Sequence, residues 1–281
     1  MDLKDKNAII TGATSGIGRI TALAIAEKGA RLVLPVRNMA KGEELKQEIG
    51  EKTGNTSVEL ISCHLDSLES IRQFAEEYKQ KHDTLHLLVN NAGTWEVKRR
   101  ESEDGIEMNF AVNHLAPFML TYLLLDTIKA SAPARIVNVS SSAHKQTKMN
   151  FDDLEGKKRW SSMRSYGQGK LANILFTRKL AKDLEGTGVT ANCLHPGVVS
   201  TRLFDKMPLV FRKIFGLFMI TPEKGAETSI YLAASPEVEG VSGGYFVKKK
   251  QARPTRHAMD MDVAERLWEV SEEYCRQNVH Q

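Results

Sequence analysis

Tyr166 and Lys170 stand four residues apart in Tyr166-Gly167-Gln168-Gly169-Lys170, within a stretch from Ser165 to Leu184 that carries helical periodicity. That spacing puts both side chains on one helix face. A phenol with a reference pKa of about 10 is a poor base near neutrality. A neighbouring ammonium stabilises the phenolate and lowers that pKa, which suits the pair to proton exchange with an alcohol or carbonyl oxygen. Such pairs also arise by chance on many helices, so the weight of this one depends on what accompanies it.

Two further clusters accompany it. Ser140-Ser141-Ser142 follow the strand-like run Arg135-Ile136-Val137-Asn138-Val139; a hydroxyl there can polarise a carbonyl, or cap a turn. Near the start, Thr11-Gly12-Ala13-Thr14-Ser15-Gly16-Ile17-Gly18 lies between a first strand and a first helix. Its glycines let the backbone turn sharply and approach a pyrophosphate, while the helix offers free N–H groups and its positive end; a tight turn without a ligand is the plainer reading of such a loop. The second strand ends Leu34-Pro35-Val36-Arg37. An NAD site places a carboxylate near this point, whereas an arginine accommodates the 2′-phosphate of NADP. Val36 stands where the acid would be, so Arg37, with Thr14 and Ser15, favours NADP(H).

These residues need a frame that brings them together. Ala8-Ile10, Arg31-Leu34, Val58-Ile61, Leu87-Val89, Ile136-Val139, Val189-Asn192 and Gly243-Val247 read as strands. Ile17 to Lys28, Met39 to Lys52, Leu68 to Lys81, Gly105 to Lys129 and Ser165 to Leu184 read as helices. This alternation predicts an α/β fold: a Rossmann-type, doubly wound, seven-stranded parallel sheet with helices on both faces, in a single domain. Within it, residues 1–140 or so form a cofactor half and 141–281 a catalytic and substrate-lid half. Ser142 to Ser162 reads as a surface loop. Leu203 to Ile220 is apolar and interrupted, and its bulky side chains suit a lid over a substrate.

In this order, with Asn90-Asn91-Ala92-Gly93 after the fourth strand, Val112-Asn113-His114-Leu115-Ala116 before the serines and Pro196-Gly197-Val198-Val199-Ser200-Thr201 after the sixth strand, the motifs resemble the short-chain dehydrogenase/reductase family from Lys6 to about Tyr274. The run from Tyr166 to Thr177, the long interval between Ser141 and Tyr166, and the ending Gly244-Tyr245-Phe246-Val247 with Arg266-Leu267-Trp268-Glu269 resemble its retinol dehydrogenase-like subgroup. The resemblance implies an alcohol–carbonyl oxidoreductase in which Tyr166 is the acid/base, Lys170 lowers its pKa, Ser141 polarises the carbonyl and Asn113 holds a proton-relay water. It implies NADP(H) contacts from Gly12, Thr14, Ser15, Gly16, Ile17, Gly18, Arg37, Leu65, Asn91, Ala92, Gly93, Tyr166, Lys170, Val199 and Thr201. It also implies apolar substrates and a homodimer or homotetramer built through the two long helices. Two positions depart from the pattern. Ala116 replaces a common glycine, and His64 stands where an aspartate beside adenine is usual, leaving Asp66 or the backbone at Leu65 for that contact.

Composition narrows the field further. A net charge of +4 over 281 residues gives no field that singles out nucleic acid, and the basic runs Lys98-Arg100, Lys157-Arg159 and Lys248-Lys250 read as solvated surface. Cys63, Cys193 and Cys275 have neither disulfide nor metal spacing, and the first two read as small core residues. No metal site is expected. The charged start Met1-Lys6 leaves no room for a signal peptide before the glycine loop, and no run approaches the roughly 18 apolar residues of a membrane span, so a cytoplasmic protein is expected. Arg202, Lys206, Arg212 and Lys213, interleaved with the apolar lid, keep peripheral membrane contact open. Two competing activities remain: an NADPH-dependent double-bond reductase, and a non-catalytic NADP(H) sensor. Both commonly alter the Ser-Tyr-Lys set, which is intact here.

Overall fold

A computed structural model describes residues 1–199 and 219–277. Strands β1 (Asn7–Ile10), β2 (Arg31–Val36), β3 (Val58–Ser62), β4 (Leu87–Asn90), β5 (Ala134–Val139), β6 (Val189–His195), β7 (Tyr245–Val247) and β8 (Lys250–Ala252) form one sheet in the order β3-β2-β1-β4-β5-β6-β7-β8. β1 to β7 pair in parallel, as the alternating pattern predicts. The chain order reverses between β1 and β4, which pair through Ala8↔Leu87 and Ile10↔Val89. In an open sheet of this type the crevice beyond the carboxyl ends of the strands at that reversal is where ligands bind.

The expected seven strands are eight. β8 turns back antiparallel on β7, with Val247 opposite Lys250. Lys248 and Lys249 make the two-residue link with φ of 50° and 62°, the left-handed conformation that a tight hairpin demands at both positions. Lysines rarely adopt it, so a charged tripeptide concealed a turn.

Helices α1 (Gly16–Glu27), α2 (Met39–Thr53), α3 (Leu68–Lys81), α4 (Met108–Ala130), α5 (Ser162–Asp183), α6 (Pro222–Ala234) and α7 (Met261–Gln277) cover both faces. Asn38 and Ser67 cap α2 and α3 by accepting the backbone N–H groups of Lys41 and Ser70. α4 carries a π-helical turn at Ala111–Leu115. By length and composition α4 could cross a membrane, yet 78% of its apolar window is buried within the protein, as befits a core helix. The core divides around the sheet. One side gathers Phe74, Tyr78, Phe110, Phe118, Phe176 and Leu267; the other gathers Ile25, Leu34, Ile49 and Leu232. Each such side chain contributes about 1.5–3 kcal/mol when fully buried. Cys63 and Cys193 are core residues, their thiols pushed up to about 12 by burial.

α6 and α7 lie outside the helices expected from periodicity. α7 packs across α5 and reaches α4: Trp268 meets Phe118 edge-on at 5.0 Å and Phe176 at 5.8 Å, and the Lys179 ammonium sits 5.1 Å from the Trp268 ring. Part of the face expected to receive a second copy is thus covered by the chain's own helix. The region from Ser142 to Ser162 is less of a free loop than expected, because it opens with a 3-10 turn at Ser142–Gln146 and buries His144 and Leu154.

Candidate active site

The crevice at the sheet reversal is built by two turns locked to each other. The Thr11 hydroxyl accepts the backbone N–H groups of Asn91 and Ala92, each at 3.0 Å, and Asn91 Nδ2 donates back to the Thr11 carbonyl at 2.9 Å. Gly12 has φ of 66°, and a Cβ there would stand 2.9 Å from Ala92 Cα. The glycine loop and the Asn90–Gly93 turn therefore approach as closely as backbone allows. Asn91 spends its donor on that lock rather than on an open face of the crevice.

Thr14, Ser15 and Gly16 run along the half-buried rim into α1, with Gly18 buried beneath. Ser15 is the N-cap of α1 but makes no side-chain capping bond, unlike Asn38, Ser67 and Thr221, which cap α2, α3 and α6. As at α5, whose N-cap Ser161 makes no such bond either, the first-turn N–H groups of α1 lack the side-chain partner that those three helices have, which suits an anion-binding terminus. Ile17 and Val199 are drawn together by α6, since a Cβ on Gly225 would lie 3.2 Å from Ile17 and 2.6 Å from Val199. Val199 also bridges to Ile220. Leu65, just past β3, lines a small cavity with Thr11, Asn90 and Ala92. Arg37 is exposed at the end of β2 and pairs with no acid among the described residues. Thr201 and all but the last two residues of the expected Leu203 to Ile220 lid lie outside the described residues.

The chemical end faces this crevice from α5 and the end of β5. Tyr166 and Lys170 are both buried, and the Lys170 ammonium donates to the Val139 carbonyl at 3.0 Å while lying 5.8 Å from the Tyr166 ring centroid. Burial pushes the Tyr166 phenol up to about 12, against a hydrogen bond with Ser141 that works the other way. Burial also lowers Lys170 to about 8. Burial thus dominates the phenol, because removing water from a phenolate costs more than the Ser141 hydrogen bond returns. Ser140 donates to the Lys170 backbone carbonyl at 2.7 Å and anchors the helix, leaving Ser141, the serine bonded to the phenol, as the one facing the site.

Asn113 lies in the π-turn of α4 with both amide atoms committed. Its Oδ1 accepts the Thr94 N–H at 2.9 Å and its Nδ2 donates to the Thr94 carbonyl at 2.8 Å. Gly93 is wedged beside it, where a Cβ would meet Asn113 Oδ1 at 2.7 Å and Lys170 Nζ at 3.1 Å. The Asn90–Gly93 turn thus brings Asn113 and Lys170 to one point.

Several residues at the site carry no motif. Trp95 stacks on the Tyr166 ring, centroids 5.0 Å apart and planes 15° apart, while its indole N–H donates to Ser162 at 2.7 Å. The buried Glu107 carboxylate accepts from Asn109, Trp160 and the Phe110 N–H, bracing the start of α4. His195 Nδ1 accepts the N–H groups of Ser142 at 3.2 Å and Gly197 at 3.4 Å, tying the serine turn to the segment after β6. His144 Nδ1 sits 2.6 Å from the Ser141 carbonyl. An aromatic two residues after a glycine turn is the one available signal for Trp95; the histidines have none.

Comparison with known proteins agrees with this arrangement. The family model described as short chain dehydrogenase matches residues 6–208. Retinol dehydrogenase 14 of Homo sapiens is 48% identical over 95% of this chain and 85% of its own length. Retinol dehydrogenase 12 of Mus musculus is 44% identical over 96% and 86%. A solved structure of an uncharacterised protein from Mycobacterium paratuberculosis superposes with a TM-score of 0.78 at 29% identity, covering 98% of this chain and 96% of that one. The NADP active-site complex of Pseudomonas aeruginosa RhlG superposes with a TM-score of 0.71 at 25% identity, covering 87% and 95%. The cytoplasmic expectation does not stand beside these retinol dehydrogenase relatives: a charged first hexapeptide is no guide to location. Their chemistry, alcohol–carbonyl oxidoreduction, is that of the crevice described above. The chain belongs to the short-chain dehydrogenase family, in its retinol dehydrogenase-like subgroup.

Proposed function

We propose that the protein is an NADP(H)-dependent oxidoreductase that interconverts apolar alcohols with their ketones or aldehydes. The observation that carries this reading is the convergence of Ser141, Tyr166 and Lys170 on the crevice beyond β4 and β5, where Gly93 leaves room for nothing larger than a hydrogen between Asn113 and Lys170.

The residues fit a dinucleotide. The uncapped α1 terminus with Thr14 and Ser15 suits the pyrophosphate, and the exposed, acid-free Arg37 suits a 2′-phosphate. The NADP named in the RhlG complex supports the same choice. Gly12, Gly16, Ile17, Gly18, Leu65, Asn91, Ala92, Gly93 and Val199 complete the cofactor wall, with Thr201 beyond the described residues. When bound, the cofactor supplies or accepts the hydride.

The protein's own part is proton handling and orientation. Ser141 donates to the substrate oxygen and stabilises the negative charge that grows on it. Tyr166, neutral at physiological pH because burial holds its phenol near 12, gives its proton to that oxygen during reduction and takes it back during oxidation. Lys170 keeps its own proton below about pH 8 and stabilises the transient phenolate. Asn113 spends its amide on Thr94, so a relay water would rest on its backbone carbonyl. Trp95 against the phenol, with the exposed apolar Val97 and Met163 beside its Ser162 bond, favours an apolar substrate, as do relatives named for retinol. Homo-oligomers are part of the proposal, restricted to what α7 leaves open on α4 and α5, where Tyr122 is 52% exposed.

The test is turnover of purified protein with NADPH or NADH against short, aromatic, steroid and retinoid-like carbonyls, followed by absorbance of the reduced nicotinamide. NADPH-dependent turnover concentrated among the apolar carbonyls is expected. Cofactor binding without turnover across the panel overturns the reading.

A further inference from the structure

His114 is fully buried in the π-turn, next to Asn113, in a cage of Phe110, Phe118 and Phe176. Packing alone would be served by another aromatic. Instead its Nε2 lies 2.8 Å from the hydroxyl of Ser271, itself wholly buried on α7. Two residues 157 positions apart in the chain thus join the C-terminal helix to the turn that carries Asn113.

The other side of the ring continues the connection. Burial lowers His114 to about 3, so the imidazole is neutral and carries one N–H; the side chain of Asn173 faces it and opposes that shift. His114 Nδ1 and Asn173 Oδ1 are both buried and neither forms a hydrogen bond. A proton on Nδ1 gives the facing Asn173 Oδ1 a donor within the cage, and buried polar atoms without partners cost about 1–3 kcal/mol each. Nε2 is then an acceptor for the Ser271 hydroxyl, whose alternative acceptor is the Leu267 carbonyl at 2.7 Å. On its far side Asn173 Nδ2 donates to the Val139 carbonyl at 3.3 Å, the same oxygen that receives the Lys170 ammonium at 3.0 Å. α7 therefore reaches Lys170 through the Ser271–His114 hydrogen bond, the facing side chains of His114 and Asn173, and the Val139 carbonyl at the end of β5.

We propose that His114 and Asn173 are positioning residues, through which the docking of α7 fixes the Val139 carbonyl and hence the Lys170 ammonium against Tyr166. The inference rests on the reading of Tyr166 and Lys170 given above. A side chain that merely filled the cage would be replaceable by phenylalanine; a link in the chain would not.

The experiment compares steady-state kinetics and thermal midpoints of His114→Phe, His114→Gln, Ser271→Ala and Leu267→Ala with the full-length parent, using NADPH and the best carbonyl of the panel. His114→Phe is expected to stay folded yet lose about ten- to a hundredfold in kcat, with little change in KM, the size of loss that follows a small misplacement of a reacting group. His114→Gln, which keeps polar atoms in the cage, should recover part of it, and Ser271→Ala should lose less in the same direction. Leu267→Ala removes buried volume while keeping the backbone carbonyl and the Ser271–His114 contact in place, and should lower the midpoint while leaving kcat near the parent value. Undiminished kcat in His114→Phe overturns the proposal, as does a Leu267→Ala loss that matches it in proportion to lost stability. A parent that turns over no carbonyl overturns the functional reading and this inference with it, whereas an active parent with an equally active His114→Phe overturns the inference alone.

Discussion

The Trp95 indole lies nearly parallel to the Tyr166 ring, 15° between planes and 5.0 Å between centroids, so the residue proposed to move the proton is braced on one face by a side chain from the cofactor turn. Stacked pairs of this kind contribute about 0.5–1.5 kcal/mol beyond the area they bury. Trp95→Ala should lower kcat/KM for apolar carbonyls by about three- to tenfold at the least, with Trp95→Phe retaining most of the activity. Parallel rate measurements on the two variants check this; equal losses would mean that the Ser162 bond, not the stacking, is what matters.

Gly93 offers a cleaner perturbation. An added Cβ would sit 2.7 Å from Asn113 Oδ1 and 3.1 Å from Lys170 Nζ, displacing both groups at once. Gly93→Ala should leave the far-ultraviolet dichroism intact and reduce kcat by about a hundredfold, since displacement of a reacting group by an ångström costs that much. Activity within a few-fold of the parent would show that neither side chain needs its present place.

Arg37 is expected to select the cofactor. Exposed and unpaired with any acid among the described residues, it presents a charge to a 2′-phosphate and nothing to a 2′-hydroxyl. Arg37→Asp should raise KM for NADPH by about ten- to a hundredfold, the range for a lost charge-assisted contact, and lower KM for NADH. Isothermal titration with both nucleotides gives the same comparison without turnover. An unchanged NADPH affinity would place the phosphate elsewhere.

Where local rules govern, the sequence was readable. The four-residue spacing of Tyr166 and Lys170, the glycines after β1 and the apolar runs of β1 to β7 depend on neighbours in the chain, and the sheet brings them to one crevice. What was missed depends on contacts across the fold. Nothing near Trp95 says that its turn folds onto Tyr166, nothing near His114 says that Ser271 will meet it, and α7 buries its apolar face only because Phe118 and Phe176 are there to receive it. The Thr94 bonds that hold the Asn113 amide and the burial that raises the Tyr166 phenol are equally invisible in the spacing, since both are set by contacts across the fold.

Burial at the site also sets a pH profile. Lys170 titrates near 8 and Tyr166 near 12, and carbonyl reduction needs both protonated. The kcat for reduction should therefore be level through neutrality and fall as pH rises through about 8, where the lysine loses its charge. Initial rates at saturating NADPH and substrate across that range check it. A rate that climbs through the same range would mean the lysine is not needed in its charged form.

Buried histidines should make the fold acid-sensitive before its carboxylates do. His114 and His195 are lowered from 6.5 to about 3 and about 4, and His144 and His86 move the same way, all chiefly through burial. As pH falls below 6.5 the unfolded chain takes up protons that the folded chain refuses, so stability declines with falling pH. Each histidine fully in this window contributes a slope of about 1.4 kcal/mol per pH unit. Thermal midpoints should therefore drop steadily from about pH 6.5 to 5, above the range in which ordinary carboxylates titrate. His114→Phe removes one of these groups and should flatten the slope by its share. A midpoint that holds level down to pH 5 in the parent would mean that these rings take up protons in the folded state, which the burial of His114 opposes.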